Sequence, residues 1–277
     1  MILIKPISPV AADLFGLKIR WYAISYILAF VVGLWMFKRL VKAPKKYYDD
    51  LLTYVLIGVI IGGRLGYVLF YNLPFFMEYP LEIFKLWHGG MSFHGGLLGV
   101  VAAAFAFAKI NSKNAELKAG GLCGGGVFKD ALGVLDRLAV VAPIGLFFGR
   151  IANFINMELM GRATDSPLGV VFEGITTVPQ HPSPLYEAAA EGVLLLIIMR
   201  LLWRAGLGSR TGFLTGAGAC CYGVLRIFCE QFRAPDVQLG YLAGTDWLTM
   251  GMVLSAAMIA VGLILILTSV RAKRAAL

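Results

Sequence analysis

Arg150, Asn153 and Asn156 follow one another at intervals of three in Gly149-Arg-Ile-Ala-Asn-Phe-Ile-Asn-Met-Glu158. On a helix they share one face and leave the other side apolar. Arg226, Glu230 and Arg233 repeat the pattern at spacings of four and three, ahead of Pro235, which predicts a helix stop. Guanidinium groups match phosphate through paired hydrogen bonds. A phospholipid headgroup is the most available phosphate at membrane depth. His94, in Gly89-Gly-Met-Ser-Phe-His-Gly-Gly-Leu-Leu-Gly99, is the candidate proton acceptor, because imidazole titrates near neutrality. The glycines around it let backbone or ligand come close.

Blander readings compete with each of these. Arg150 alone is compatible with an arginine snorkelling to the headgroups, but that leaves the two asparagines unexplained. Arg226, Glu230 and Arg233 are compatible with a structural salt bridge at a membrane edge. Two arginines against one acid, however, leave a positive charge seeking an anion. A lone histidine is more often structural than catalytic. Arg64, Glu187 and Glu191 also fall inside apolar runs, where a charge costs about 2.5 kcal/mol or more.

The elements that carry these residues are membrane helices. Of 277 residues, 59% are hydrophobic and 15% charged, too few polar side chains to cover a soluble domain. Seven apolar segments approach the length a bilayer requires: 21–37, 52–71, 91–108, 138–154, 185–202, 213–228 and 248–270. Sixteen of the 25 basic residues lie in alternate connections, after the first, third, fifth and seventh segments. Those connections therefore belong in the cytoplasm. The expectation is an all-α, polytopic integral membrane protein with seven spans, N-out and C-in, forming one transmembrane catalytic domain over 1–277. A small extracytoplasmic head is expected at 155–184, and the glycine-rich patch Gly120–Gly126 reads as a loop.

The formal net charge of +9 is explained by this loop bias, since Lys and Arg cluster between apolar runs and not on one solvated face. Nucleic acid is therefore not an expected partner. The four cysteines, two of them adjacent at Cys220 and Cys221, form no disulfide or metal framework. The first 18 residues, interrupted by Pro6 and Pro9, do not read as a cleaved signal peptide. With no internal repeat, and polar stripes confined to the outer half, a transporter fits poorly. A non-catalytic lipid-binding scaffold accounts for the arginines but gives His94 no task.

Five ordered blocks carry a resemblance to a known family: Gly62-Gly-Arg-Leu-Gly-Tyr-Val-Leu-Phe-Tyr-Asn72, Gly90-Met-Ser-Phe-His-Gly-Gly-Leu-Leu-Gly99, Gly149–Gly161, His181-Pro-Ser-Pro-Leu-Tyr-Glu187 and Arg226–Asp236, with Arg20-Trp-Tyr22 before them. Together they resemble the prolipoprotein diacylglyceryl transferases. The resemblance implies a bacterial inner-membrane enzyme whose active site faces the periplasm or exterior. It implies phosphatidylglycerol as donor and the lipobox cysteine of a prolipoprotein signal peptide as acceptor. The products are a thioether and glycerol phosphate. By the same resemblance His94, Arg150 and Arg226 are catalytic. Tyr22, Asn153, Glu158, Gly161, Glu230 and Arg233 line or shape the lipid site, and Asp136 matches an acid near the inner side. The chemistry calls for no metal and no organic cofactor.

Overall fold

The computed structural model describes residues 1–235 and 240–274. Asp236, at the end of the last motif, lies outside them. Three short strands open the chain: β1 (Ile2–Ile4), β2 (Val10–Leu14) and β3 (Leu17–Arg20). Then come α1 (Trp21–Leu40), α2 (Lys45–Phe70), α3 (Leu73–Glu78), the 3-10 turns Pro80–Phe84 and Leu86–His88, α4 (Phe93–Asn111), α5 (Ala115–Ala119) and α6 (Val127–Ile155). Strand β4 (Val170–Phe172) precedes α7 (Ser183–Glu187), the π-helical turn Ala188–Leu194, α8 (Leu195–Arg204), the 3-10 turn Leu207–Ser209, α9 (Phe213–Glu230) and α10 (Met250–Arg274).

Among the described residues six helices are long and apolar enough to cross a membrane: α1, α2, α4, α6, α9 and α10. Two start well before their apolar cores. Helix α2 begins at Lys45 and α6 at Val127, because Lys and Leu are good helix formers and Asp near a helix N-terminus complements its dipole, even where the stretch is too polar for lipid. The segment expected at 185–202 is helical throughout but composite: α7, the π-turn and α8 follow one another without a break, over 5, 7 and 10 residues.

The all-α expectation needs one correction. β1 pairs in parallel with β4, Ile2 opposite Val170 and Ile4 opposite Phe172. β2 and β3 form an antiparallel hairpin running directly into α1. Strands of three to five residues are too short to show an alternating pattern. Val170 and Phe172 are almost fully buried, and the N-terminal strand holds the 155–184 segment by backbone pairing.

The chain divides into two compact units: Met1–Phe37 with Asp136–Leu277, and Lys38–Leu135. In the second, α2 and α4 meet through glycines four residues apart, Gly58, Gly62 and Gly66 against Gly95 and Gly99. A Cβ on Gly62 would overlap the Gly95 carbonyl, so the backbones touch as in small-residue membrane-helix packing. Ser92 starts α4. Its hydroxyl accepts from the Gly95 N–H at 3.1 Å and its own N–H donates to the Gly63 carbonyl at 2.8 Å.

In the first unit Asp136, buried on α6, caps the start of α9. Its carboxylate accepts from the Gly212 N–H (2.6 Å), the Thr215 N–H (2.7 Å) and the Thr215 hydroxyl (2.7 Å). These N–H groups belong to the first turn of α9, where no intrahelical carbonyl is available.

Candidate active site

Glu187 and Glu191 are four residues apart where α7 passes into the π-turn, and both are fully buried. The wide turn, a feature often found at functional sites, presents both carboxylates to the same guanidinium groups. Glu187 Oε2 accepts from Arg150 Nε at 2.8 Å and from Arg226 Nη1 at 2.7 Å, while its Oε1 lies 3.4 Å from Arg233 Nη1. Glu191 meets Arg150 Nη2 at 3.2 Å and Arg226 Nη1 at 3.4 Å. Glu230 closes the set one turn beyond Arg226. It pairs with Arg226 Nη2 and accepts the Thr249 hydroxyl at 2.8 Å.

Three cations from α6, α9 and the residues after α9 thus face three anions in a space nearly closed to solvent. Any one of these charges alone would carry a desolvation cost of several kcal/mol, which mutual pairing offsets.

A second group forms where α6 ends. Met157 takes a left-handed conformation (φ 56°), the Met157 N–H donates to the Phe154 carbonyl at 3.0 Å, and the Glu158 N–H donates to the Asn153 carbonyl at 2.9 Å. This bond pair is a Schellman stop, with methionine where glycine is usual. Leu159 is also left-handed (φ 57°), so Glu158 stands between two residues each costing about 1–2 kcal/mol in that conformation. The turn delivers the Glu158 carboxylate to α1, where it accepts the Tyr22 hydroxyl proton at 2.8 Å. Asn153 Nδ2 donates to the same phenol oxygen. Asn156 Oδ1 is buried and lacks a hydrogen-bond partner among the described residues.

Gly161 joins these groups through the backbone. It forms an antiparallel bridge with Arg233, and its N–H donates to the His181 carbonyl at 2.8 Å. A side chain there would collide with the Phe232 carbonyl and with His181. Arg162 Nε, one residue on, donates to the Arg233 carbonyl at 3.0 Å.

Residues 9–268 match the prolipoprotein diacylglyceryl transferase family. The chain belongs to that family. It is 47% identical over 271 residues to the phosphatidylglycerol–prolipoprotein diacylglyceryl transferase of Methylocella silvestris, covering 94% of this chain and 93% of that protein. The protein of the same name from Bradyrhizobium diazoefficiens is 47% identical, over 95% of this chain and 92% of its own length. That of Nitratidesulfovibrio vulgaris strain DP4 is 45% identical, over 95% of both chains.

For this member of the transferase family, the structure sorts the residues singled out by sequence into groups. Arg150, Arg226, Glu230 and Arg233 meet in the ion-paired cluster. Tyr22, Asn153 and Glu158 form the second group, and Gly161 is tied to the first through Arg233. His94 belongs to the other unit, at the second position of α4, where its ring packs edge-on against Phe93. The unmatched positive charge expected beside Glu230 is corrected, because Glu187 and Glu191 supply the missing anions. These two acids are members that spacing on α9 could not reveal. Their signal was two carboxylates four apart in an apolar run. Among the described residues no group of His, Cys, Asp or Glu is placed to hold a metal ion.

Proposed function

We propose that the chain transfers the diacylglyceryl group of phosphatidylglycerol to the thiol of the lipobox cysteine of prolipoproteins, the first step of lipoprotein maturation. The observation that carries the reading is the cluster of Arg150, Arg226 and Arg233, in which three guanidiniums are held side by side by buried carboxylates. Groups so fixed are aimed before the reaction, and in a partly dry site they stabilise developing phosphate charge more than water does.

The acceptor is a thiol with a pKa near 8.5, mostly protonated near neutrality. His94 removes the thiol proton. The sulfur attacks the glyceryl carbon bonded to the phosphate oxygen, a C–S bond forms, and the C–O bond breaks. Its electron pair stays on the leaving phosphate, next to Arg150 and Arg226. Tyr22, Asn153 and Glu158 orient the lipid, and Gly161 keeps the Arg233 backbone in place. No cofactor enters these steps.

The composite helix Ser183–Arg204 serves as a seventh span, since its consecutive 5, 7 and 10 residues are enough to cross a hydrocarbon core of about 30 Å. The basic residues of 38–46, 109–137, 200–210 and 271–274 support N-out and C-in placement. Asp136 and Arg150 lie on the same helix, separated by roughly 21 Å at about 1.5 Å per residue. Together with the basic-loop bias, that separation supports a cap at the inner end and an arginine cluster at the outer end, facing the periplasm or exterior of the bacterial inner membrane, with 155–184 as its small head. The whole chain then works as one catalytic domain, a transferase and not a transporter or a lipid scaffold.

Transfer of labelled glyceride from phosphatidylglycerol to a lipobox peptide tests the reaction. The wild type is expected to transfer and Arg150→Ala to lose at least roughly 100-fold. A folded wild-type protein that binds lipid without transferring it supports the scaffold instead. His94→Gln is expected to lose a comparable factor, most of it restored at raised pH where thiolate is abundant. Near-normal activity at neutral pH removes His94 from the role of base.

A further inference from the structure

Among the described residues the cluster holds three arginines against three glutamates, while the substrate brings a phosphodiester anion and leaves as a more negative phosphate monoester. Carboxylates that hold guanidinium donors compete with an arriving phosphate for them, so a phosphate that takes those donors displaces a carboxylate. The three acids are not equally held. Glu187 is bound at 2.8 and 2.7 Å by two arginines and touched by a third. Glu230 pairs closely with Arg226 and is anchored to Thr249 at 2.8 Å. Glu191 meets its two arginines at 3.2 and 3.4 Å, long against the 2.7–2.9 Å usual between charged partners.

Access points to the same acid. Arg150, the nearer of the two arginines bound by Glu191, has the most exposed side chain of the three arginines, 16% against 11% for Arg226 and 8% for Arg233. Glu191 also sits inside the π-helical turn Ala188–Leu194, a wide turn often found at functional sites.

We infer that Glu191 is a positioning residue that stands in for the lipid phosphate: it keeps Arg150 and Arg226 aimed while the site is empty and gives up their donors when the phosphodiester arrives. It competes with substrate and, more strongly, with the departing glycerol phosphate, so it speeds product release at a cost in substrate affinity. This inference rests on the reaction proposed above. Glu187, bound by all three arginines, holds the geometry while the exchange takes place.

Replacement of the charge alone, Glu191→Gln, is the test. The expected result is a KM for phosphatidylglycerol lowered roughly tenfold and tighter inhibition by glycerol phosphate, with a reduced kcat because product leaves slowly. A residue with a merely structural role would raise KM and lower kcat together, so an unchanged or raised KM in the folded variant overturns the inference. If the wild type transfers nothing, it is the proposed reaction that has failed.

A second measurement does not depend on the stability of the glutamine variant. In protein carrying carbon-labelled glutamate, infrared difference spectra taken on adding phosphatidylglycerol vesicles are expected to show a carboxylate stretching band shift. The shift should disappear in Glu191→Asp, which keeps the charge but removes the labelled group. A spectrum without a shift, or one the aspartate variant retains, overturns the inference.

Discussion

Two regions of this protein bury arginine in helices apolar enough for a membrane, and they satisfy it in opposite ways. Arg64 on α2 is met entirely by backbone. Its Nε donates to the Ile83 carbonyl at 2.8 Å, Nη1 to Gly89 and Gly90, and Nη2 to Glu82 and Lys85 at 2.5 and 3.2 Å. Its plane also lies over the Phe76 ring at 5.1 Å. Arg150, Arg226 and Arg233 are met mainly by side-chain carboxylates. Carbonyls bind a guanidinium without neutralising it, and they are fixed to the chain. Carboxylates neutralise it and sit on side chains that can be exchanged for another anion. The first arrangement fastens the loop between α2 and α4. The second keeps donors ready for phosphate.

Exchanging arginine for lysine separates the two kinds of site, because it keeps the charge and removes the planar fork. Arg226→Lys preserves the balance of charge in the cluster but cannot form paired bonds to phosphate. Its transfer rate is expected to fall by roughly 100-fold or more, with only a small change in Tm. Arg64→Lys has three donors for carbonyls spread over residues 82–90. Hydrogen exchange in 72–90 should then speed up roughly 10- to 100-fold, the loss of one or two net hydrogen bonds. The contrast collapses if Arg226→Lys retains full transfer, or if exchange in 72–90 is unaffected by Arg64→Lys.

Asp136 offers a middle case, a buried carboxylate that serves two backbone N–H groups and the Thr215 hydroxyl. Asp136→Ala leaves the first-turn N–H groups of α9 without an acceptor, at a cost of about 2 kcal/mol. A Tm lowered by roughly 4–8 °C in detergent is expected, with kcat near the wild-type value at low temperature. A large loss of kcat without a change in Tm would instead tie Asp136 to the chemistry.

The same contrast decides what could be read from sequence. Helix-length apolar runs announce α1, α2, α4, α6, α9 and α10, and the spacing of Arg226 and Glu230 places them on one face, whereas Arg233, expected on the same face, lies beyond the end of α9 and bridges Gly161. Besides Glu230, one turn on, the anions that answer Arg226 come from 39 and 35 residues away in the chain, and periodicity within α9 carries no information about those two. The partners of Arg64 are harder still, since every residue has a carbonyl and none is marked as an acceptor. The stop of α6 is hidden for a local reason, because Met157 fills the left-handed position that glycine would advertise. Strands β1 and β4 owe their pairing to each other, 168 residues apart at Ile2 and Val170, and neither is long enough to declare itself alone.

The smallest expected effect lies in the loop that Arg64 fastens. Glu82, whose carbonyl accepts from Arg64, turns its carboxylate outward to Lys85 Nζ at 2.5 Å and His88 Nδ1 at 2.8 Å. The hydrogen bond from Lys85, and after it that from His88, holds the Glu82 carboxyl below its ordinary value near 4.5. A carboxyl lowered in the folded state adds stability that is fully present above its unfolded pKa and is lost as pH falls through the folded value. As pH falls below the ordinary value near 4.5, protection factors in 72–90 should therefore decline by a small amount in the wild type, and less so in high salt, which screens an exposed pair. Glu82→Gln should remove that acid-dependent part while the arginine clamp stays in place. An identical acid profile in the variant would mean that the clamp on Arg64 holds the loop alone, which would widen the difference between a guanidinium fastened by backbone and one poised among carboxylates.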